Sequence, residues 1–366
     1  MKKSIVLAPT TDAWRTVQRA EQLGFDRVWF FDSPSLYTDI FVAMALCAHH
    51  TERIELATGV IVPSNRIDPV TANAIASLEA LAPGRVILGL GTGFTGRHTM
   101  GLGAMKLRDL EHTIDVCRTL WRGEIASWQA EGAERKVKLL HDSGRFGRPD
   151  PEGRIFVSGM GPKSMRLTVG KSDGWMAFAP GIDYALQYLH GIDQTCDAMG
   201  RERASLPKSI LSPGCILADD EPADSARALA QAGPLVAVFF HNLMEGSLDF
   251  ELPPELQQAA DAYRRVYEAY EPADARYLEL HRRHLVALRE EEVPFIAGEL
   301  IRAMTFTGTR EELSAQLARL EEAGCDDFGV QLMTGSEDEL ENWAALFGLT
   351  EPAAAAGAVA PGPAGT

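Results

Sequence analysis

The sequence predicts an α/β chain folded as a (β/α)8 TIM barrel with insertions. Three observations carry this. Eight short apolar runs alternate with helical runs between Ser4 and Phe347, and eight such units are what closes a parallel barrel. The joints are short, and strand, helix and strand joined this way make a parallel βαβ unit. The 366 residues, 46% of them hydrophobic, suffice for one large α/β core. By pattern alone a doubly wound open sheet is the competitor.

In order, Ser4 to Ala8 (SIVLA) is the first strand, and the helical run Ala13 to Leu23 stops at Gly24, a natural C-terminal cap. Arg27 to Phe31 (RVWFF) is a buried second strand ended by Asp32-Ser33-Pro34, and Asp39 to His49 is an apolar helix. Ile54 to Val62 is the third strand, Val70 to Leu81 its helix, and Val86 to Leu90 the fourth strand. Leu107 to Trp121 sets Leu107, Leu110, Ile114, Cys117 and Leu120 near one helical face. Arg122 to Gly153 is a polar excursion. Ile155 to Ser158 is the fifth strand, and Pro162 sits well in the first turn of the helix that follows it. Trp175 to Phe178, Ser209 to Leu217 and Phe328 to Leu332 complete the strands, with helices over Tyr184 to Met199, Glu311 to Ala323 and Glu337 to Phe347. Pro222 to Met304 is mostly helical and longer than a crossover needs. One domain thus spans 1–350 with excursions at 122–154 and 233–305, and the Ala/Gly/Pro tail 351–366 reads as disordered.

Charge narrows the partners. Lys plus Arg is 35 and Asp plus Glu 51, a net −16, which argues against nucleic acid or an anionic membrane surface. MKKSIVLAPT lacks the apolar core of a signal peptide, and no run reaches the length of a membrane span. The five cysteines are dispersed with no CxxC pair, as in a cytoplasmic protein with reduced thiols.

The chemistry is expected where the third and fourth strands end. Thr58-Gly59-Val60 and Gly91-Thr92-Gly93 leave parallel neighbours at the same end of the sheet, the end where ligands sit. Gly91 to Gly96 is a literal GxGxxG, but it follows the fourth strand, no acidic strand end comes later, and Arg97 to Gly103 does not begin a helix. A dinucleotide seat is therefore disfavoured against a plain turn or a backbone cradle for a flat cofactor. The corner after Ser158, with Gly159, Met160, Gly161, Pro162 and Lys163, opens a helix and suits either a phosphate or an ordinary turn. Asp32 ends a strand and reads as a site carboxylate or a turn cap. His98 and His241 are each a pocket candidate or a plain core or surface histidine, while His281 and His284, beside Arg282-Arg283, read as surface. No metal-ligand spacing and no Ser-His-Asp or Cys-His set is present.

Taken together, AEQLGFDRVWFFDS (Ala20 to Ser33), ATGVIVPSNRIDPVTANAIASLEALAPGRVILGLGTG (Ala57 to Gly93), VSGMGPKSMRL (Val157 to Leu167) and TGTREELSAQLARLEEAGCDDFGVQL (Thr307 to Leu332) resemble the bacterial luciferase-like superfamily, in the right order and over most of residues 1 to 350. The motif form looks closest to the methylenetetrahydromethanopterin reductase branch. It departs at Ile67-Asp68-Pro69, where relatives often place His before the proline. The resemblance implies a (β/α)8 barrel binding the deazaflavin coenzyme F420 or FMN at its C-terminal mouth, with a non-proline cis peptide at Gly59-Val60. It implies Asp32 as the catalytic group near the ring, Gly59, Val60, Gly91, Thr92 and Gly93 along it, and Ser158 to Lys163 at the phosphate. The expected activity is F420-dependent hydride transfer to or from a small organic substrate. An FMN monooxygenase fed by a separate flavin reductase is the alternative. A non-catalytic flavin-binding or partner protein and an NAD(P) dehydrogenase are rivals of other classes. A homodimer through helices of the barrel wall is also implied.

Overall fold

The computed structural model describes residues 1–141, 153–247 and 252–349; the tail expected to be disordered lies outside them. Its first half runs β1 (Lys2–Leu7), α1 (Trp14–Leu23), β2 (Arg27–Phe30), α2 (Ile40–His50), β3 (Glu55–Thr58), α3 (Asp68–Leu81), β4 (Val86–Leu90), a one-turn α4 (Thr95–His98) and α5 (Leu107–Trp121). A hairpin of β5 (Ala126–Ala130) and β6 (Ala133–Val137) follows, then β7 (Arg154–Ser158), α6 (Pro162–Lys171), β8 (Gly174–Phe178), α7 (Gly181–Met199) and the long β9 (Lys208–Leu217). Then come α8 (Ala226–Gln231), α9 (Gly233–Met244), α10 (Pro254–Glu268), α11 (Tyr277–Leu280) and α12 (Gly298–Met304). The chain closes with β10 (Phe306–Thr309), α13 (Arg310–Glu322), β11 (Asp327–Gln331) and α14 (Leu340–Leu346).

The sheet closes on itself. Its order is β1-β2-β3-β4-β7-β8-β9-β11, every pair parallel, with β11 returning to β1. These are the eight strands read from the sequence, so the open-sheet alternative is out. Alternation along each strand splits the core in two. Ile5 and Leu7 face the helices in the large outer layer, whereas Val6 joins Trp29, Ala57, Ile87, Phe156, Met176 and Leu211 inside the barrel.

The strand starts close the barrel floor with buried ions. Arg27 reaches Asp327 at 2.6 Å and Glu55 at 2.7 Å, Arg154 holds the other Glu55 oxygen at 2.5 Å, and the Trp29 indole N–H donates to Asp327 at 3.2 Å. Burial pushes the Glu55 carboxyl up, but Arg27, Arg154 and Lys2 outweigh it and bring it down to about 2.

Four local expectations change. The third strand stops at Thr58 rather than Val62, because the Thr58 hydroxyl takes the Gly89 N–H at 2.8 Å and donates to its carbonyl at 2.8 Å. A side chain thus replaces the main-chain ladder, and beyond it only Ile61 bridges Leu90. The stretch after the glycine loop does begin a helix, the single turn α4. The polar excursion contains the β5–β6 hairpin, whose two-residue turn Glu131-Gly132 has φ of 53° and 76°, the mirror-image turn that suits strand twist. Phe306–Thr309, given no strand in the sequence reading, is one: β10 pairs with the far half of β9 (Gly214–Leu217), while Thr309 caps α13 by accepting from Glu312 N at 3.3 Å. Between β9 and β10 lies a lobe with its own apolar cluster around Val236, Phe240, Tyr263, Leu280 and Ile301. Among the described residues no helix is long and apolar enough to cross a membrane.

Candidate active site at the barrel mouth

The exits of β3 and β4 lie side by side, as their parallel register demands: Leu56 faces Val86, and Gly91 N donates to Ile61 O at 3.2 Å. The peptide Gly59-Val60 is cis, as the resemblance implied. Val60, Phe31 and Phe178 are half-buried and pack on the interior layer, with Phe31 and Phe178 edge to face at 6.5 Å between ring centroids. Together they make an apolar floor at the C-terminal mouth.

The glycines permit this floor, but not by lying bare beneath it. A Cβ on Gly91 would stand 2.7 Å from Val60 Cγ2, and one on Gly93, whose φ is +74°, would stand 2.5 Å from Val62 Cγ1. Both glycines are buried against the neighbouring exit, so the surface offered to a ligand there is Val60 and Thr92. Asp32 is buried and bound: Arg66 Nη1 donates to its Oδ2 at 2.8 Å and Asn65 Nδ2 at 3.3 Å, while Arg66 Nη2 reaches Asp39 at 2.7 Å. It anchors Arg66 at the mouth rather than standing free.

Ser158 ends β7 half-buried, and Met160, Gly161, Pro162 and Lys163 are exposed at the first turn of α6. The Trp175 indole holds Gly159 O at 2.7 Å, and Gly161 N donates to Ser164 Oγ at 3.1 Å. These bonds fix the corner and leave the N-terminus of a ten-residue helix open, a setting that favours anions. Asn65 and Gln331 at the mouth each leave a buried amide oxygen with no partner among the described residues. Buried acceptors are nearly always paired, so an apolar floor, unpaired acceptors and an open helix end fit a flat, polar-edged group with a phosphate.

Over the mouth stands a cluster the sequence reading missed. His281 and His284, expected on the surface, are buried, as is His241. Glu245 accepts from His98 Nδ1 at 2.5 Å and His281 Nε2 at 2.7 Å. Glu292 accepts from His241 Nε2 at 2.8 Å, Arg289 at 2.6 Å and the Tyr263 hydroxyl at 3.2 Å. The cluster is tied to strand exits: His284 Nε2 lies 3.0 Å from Thr95 Oγ1, and the Tyr37 hydroxyl donates to His284 O at 2.8 Å. Burial pushes both carboxyls up, but His281 and His98 bring Glu245 down to about 2, as His241 and Arg289 do for Glu292. Burial lowers His241, only partly offset by Glu292, and with the neighbouring histidines drives His284 well down. The one signal in sequence was the His281/His284 spacing, which the adjacent arginines disguised.

A closed eight-strand barrel with a ligand mouth of this make is the build of a luciferase-like enzyme. The sequence model of the luciferase-like monooxygenase family matches residues 4–327, and the chain belongs to that family. Among curated relatives, it is 33% identical over 258 residues to the F420-dependent hydroxymycolic acid dehydrogenase of Mycobacterium tuberculosis, covering 67% of each chain. It is 30% identical over 207 residues to the F420-dependent glucose-6-phosphate dehydrogenase of Kineococcus radiotolerans, covering 52% of this chain and 60% of that relative. Among solved structures, the coenzyme F420 dependent tetrahydromethanopterin reductase of Methanopyrus kandleri has the same fold, with a TM-score of 0.68 at 18% identity over 94% of this chain and 97% of that one.

Proposed function

We propose that the protein is an F420-dependent oxidoreductase that moves a hydride to or from a small organic substrate at the barrel mouth. The observation that carries this is the pairing of an apolar floor at Val60, Phe31 and Phe178 with the open N-terminus of α6, in a chain whose relatives are F420-dependent dehydrogenases. When bound, the deazaflavin ring supplies the carbon that gives or takes the hydride. The chain's own part is placement. Gly59 and Val60 support one ring face, Gly91 sets Val60 and Gly93 sets Val62 in position, and Thr92 lines the mouth beside them. Asp32 holds Arg66 and Asn65 at the ring's polar edge, and Ser158 to Lys163 receive the phosphate.

Titrating the purified protein with F420 and with FMN, each oxidised and reduced, tests the reading. F420 is expected to bind with a shift of its absorbance and FMN more weakly. Binding of FMN alone instead supports an oxygenase supplied by a separate flavin reductase. Binding of neither supports a non-catalytic partner protein. The homodimer is likewise a proposal, tested by light scattering.

A further inference from the structure

We propose that His241, His281 and His284 form a binding site for a divalent transition-metal ion of the zinc type, set in the roof of the barrel mouth. Each offers a ring nitrogen within 4.8 Å of the other two. Two edges of the triangle are explicit: His284 Nδ1 lies 3.1 Å from His281 Nδ1 and 3.3 Å from His241 Nδ1. At metal–nitrogen distances of 2.0–2.1 Å, tetrahedral ligands sit about 3.3–3.4 Å apart. Both observed edges are within about 0.3 Å of that spacing.

Proton counting separates this from a plain hydrogen-bond cluster. His241 Nε2 gives its N–H to Glu292 and His281 Nε2 gives its own to Glu245, since an ionised carboxylate only accepts. A neutral ring that donates from Nε2 presents a bare lone pair at Nδ1. With both rings neutral, two bare Nδ1 atoms face His284 Nδ1, which has at most one proton for the two contacts. If His284 instead donates from Nε2 to Thr95, three lone pairs converge with no proton between them. A cation in the centre satisfies all three at once.

The surroundings match what metal-binding histidines need. Such rings pass their second N–H to a carboxylate or another oxygen, which fixes tautomer and orientation. Here those partners are Glu292, Glu245 and the Thr95 hydroxyl. Three imidazole nitrogens suit Zn2+, Co2+, Ni2+ or Cu2+ rather than Mg2+ or Ca2+. Three protein ligands leave a fourth position for water or another small ligand. His98 and Glu245, with side chains 13% and 12% exposed, mark the side by which an ion reaches the buried rings. The second group of possible ligands, His98, Glu245 and His281, is already explained by two N–H donors on one carboxylate. The ion would tie α9, which carries His241, to the segment after α11, which carries the other two, whichever redox cofactor sits below.

Co2+ is the probe, added to the full-length apo protein after chelator treatment. The expected result is a visible absorption spectrum of tetrahedral cobalt that saturates at one equivalent, is displaced by Zn2+, and disappears in both His284→Gln and His281→Gln. Circular dichroism checks that these variants fold; where one does not, the other is read. Zn2+ is also expected to raise the melting temperature of the wild type and not of the folded variant. No cobalt spectrum and no zinc-dependent shift in the wild type overturns the proposal. So does a spectrum that survives either substitution, since the ion then lies elsewhere.

Discussion

At Gly91 a methyl group has nowhere to go. Its Cβ would stand 2.7 Å from Val60 Cγ2, while one on Gly103 would meet nothing within 4 Å. Gly91→Ala is therefore expected to cost about 1–3 kcal/mol in a urea melt, as overpacking does, and to weaken cofactor binding by displacing Val60. Gly103→Ala is the neutral control. The two effects part if Val60 shifts without touching the ligand, in which case the melt changes and the titration does not. Asp32 makes a second case. Arg66 is already committed to it at 2.8 Å, so Asp32→Ala leaves Arg66 held at the mouth by Asp39 alone. The expected outcome is a loss of about 1–3 kcal/mol in stability together with at least tenfold weaker F420 binding. An unchanged titration removes Asp32 from the site.

Elements differ in how plainly the sequence announces them, and the reason is range. The eight barrel strands are apolar runs bounded by Gly, Pro or Asp, so local pattern suffices. The β5–β6 hairpin escapes notice because its strands, ASWQA and AERKV, hold no apolar run and Glu-Gly is a rarer turn pair than Asn-Gly. The end of β3 was misplaced because a hydroxyl from Thr58, not the main chain, closes the pairing at Gly89. At the mouth, the glycines and Asp32 were legible as strand exits. The histidine roof was not, since the bonds that tie His98, His241 and His281 to Glu245 and Glu292 span 36 to 147 positions. The floor network is an element-level device whose loss has a pH signature. Glu55 is held at about 2 against an ordinary 4.5. Its stabilising contribution is complete above pH 4.5 and disappears as pH falls toward 2. Melting temperature is expected to fall across that window, and less steeply in Glu55→Gln. Arg27→Met, which takes the buried cation from Asp327 and leaves Glu55 to Arg154 and Lys2, is expected to cost about 3–5 kcal/mol in the same melts at neutral pH.

On the scale of the whole molecule, barrel and lobe have separate cores that meet along one strand. Phe240 is fully buried in the lobe and stacks on Tyr263 at 5.2 Å. Phe240→Ala is expected to cost about 3–5 kcal/mol, seen as faster amide exchange in α9 and α10 before exchange rises in the barrel strands. Simultaneous loss of protection in both would show a single cooperative unit. The long β9 sets the limits of that independence. Its near half is wedged between β8 and β11, and its far half carries β10. At the join, a Cβ on Gly214 would stand 2.1 Å from Phe306 O. That strand works like a shared beam between a workshop and its porch. The porch can be rebuilt with different helices and loops, as long as the beam is neither shifted nor thickened at Gly214.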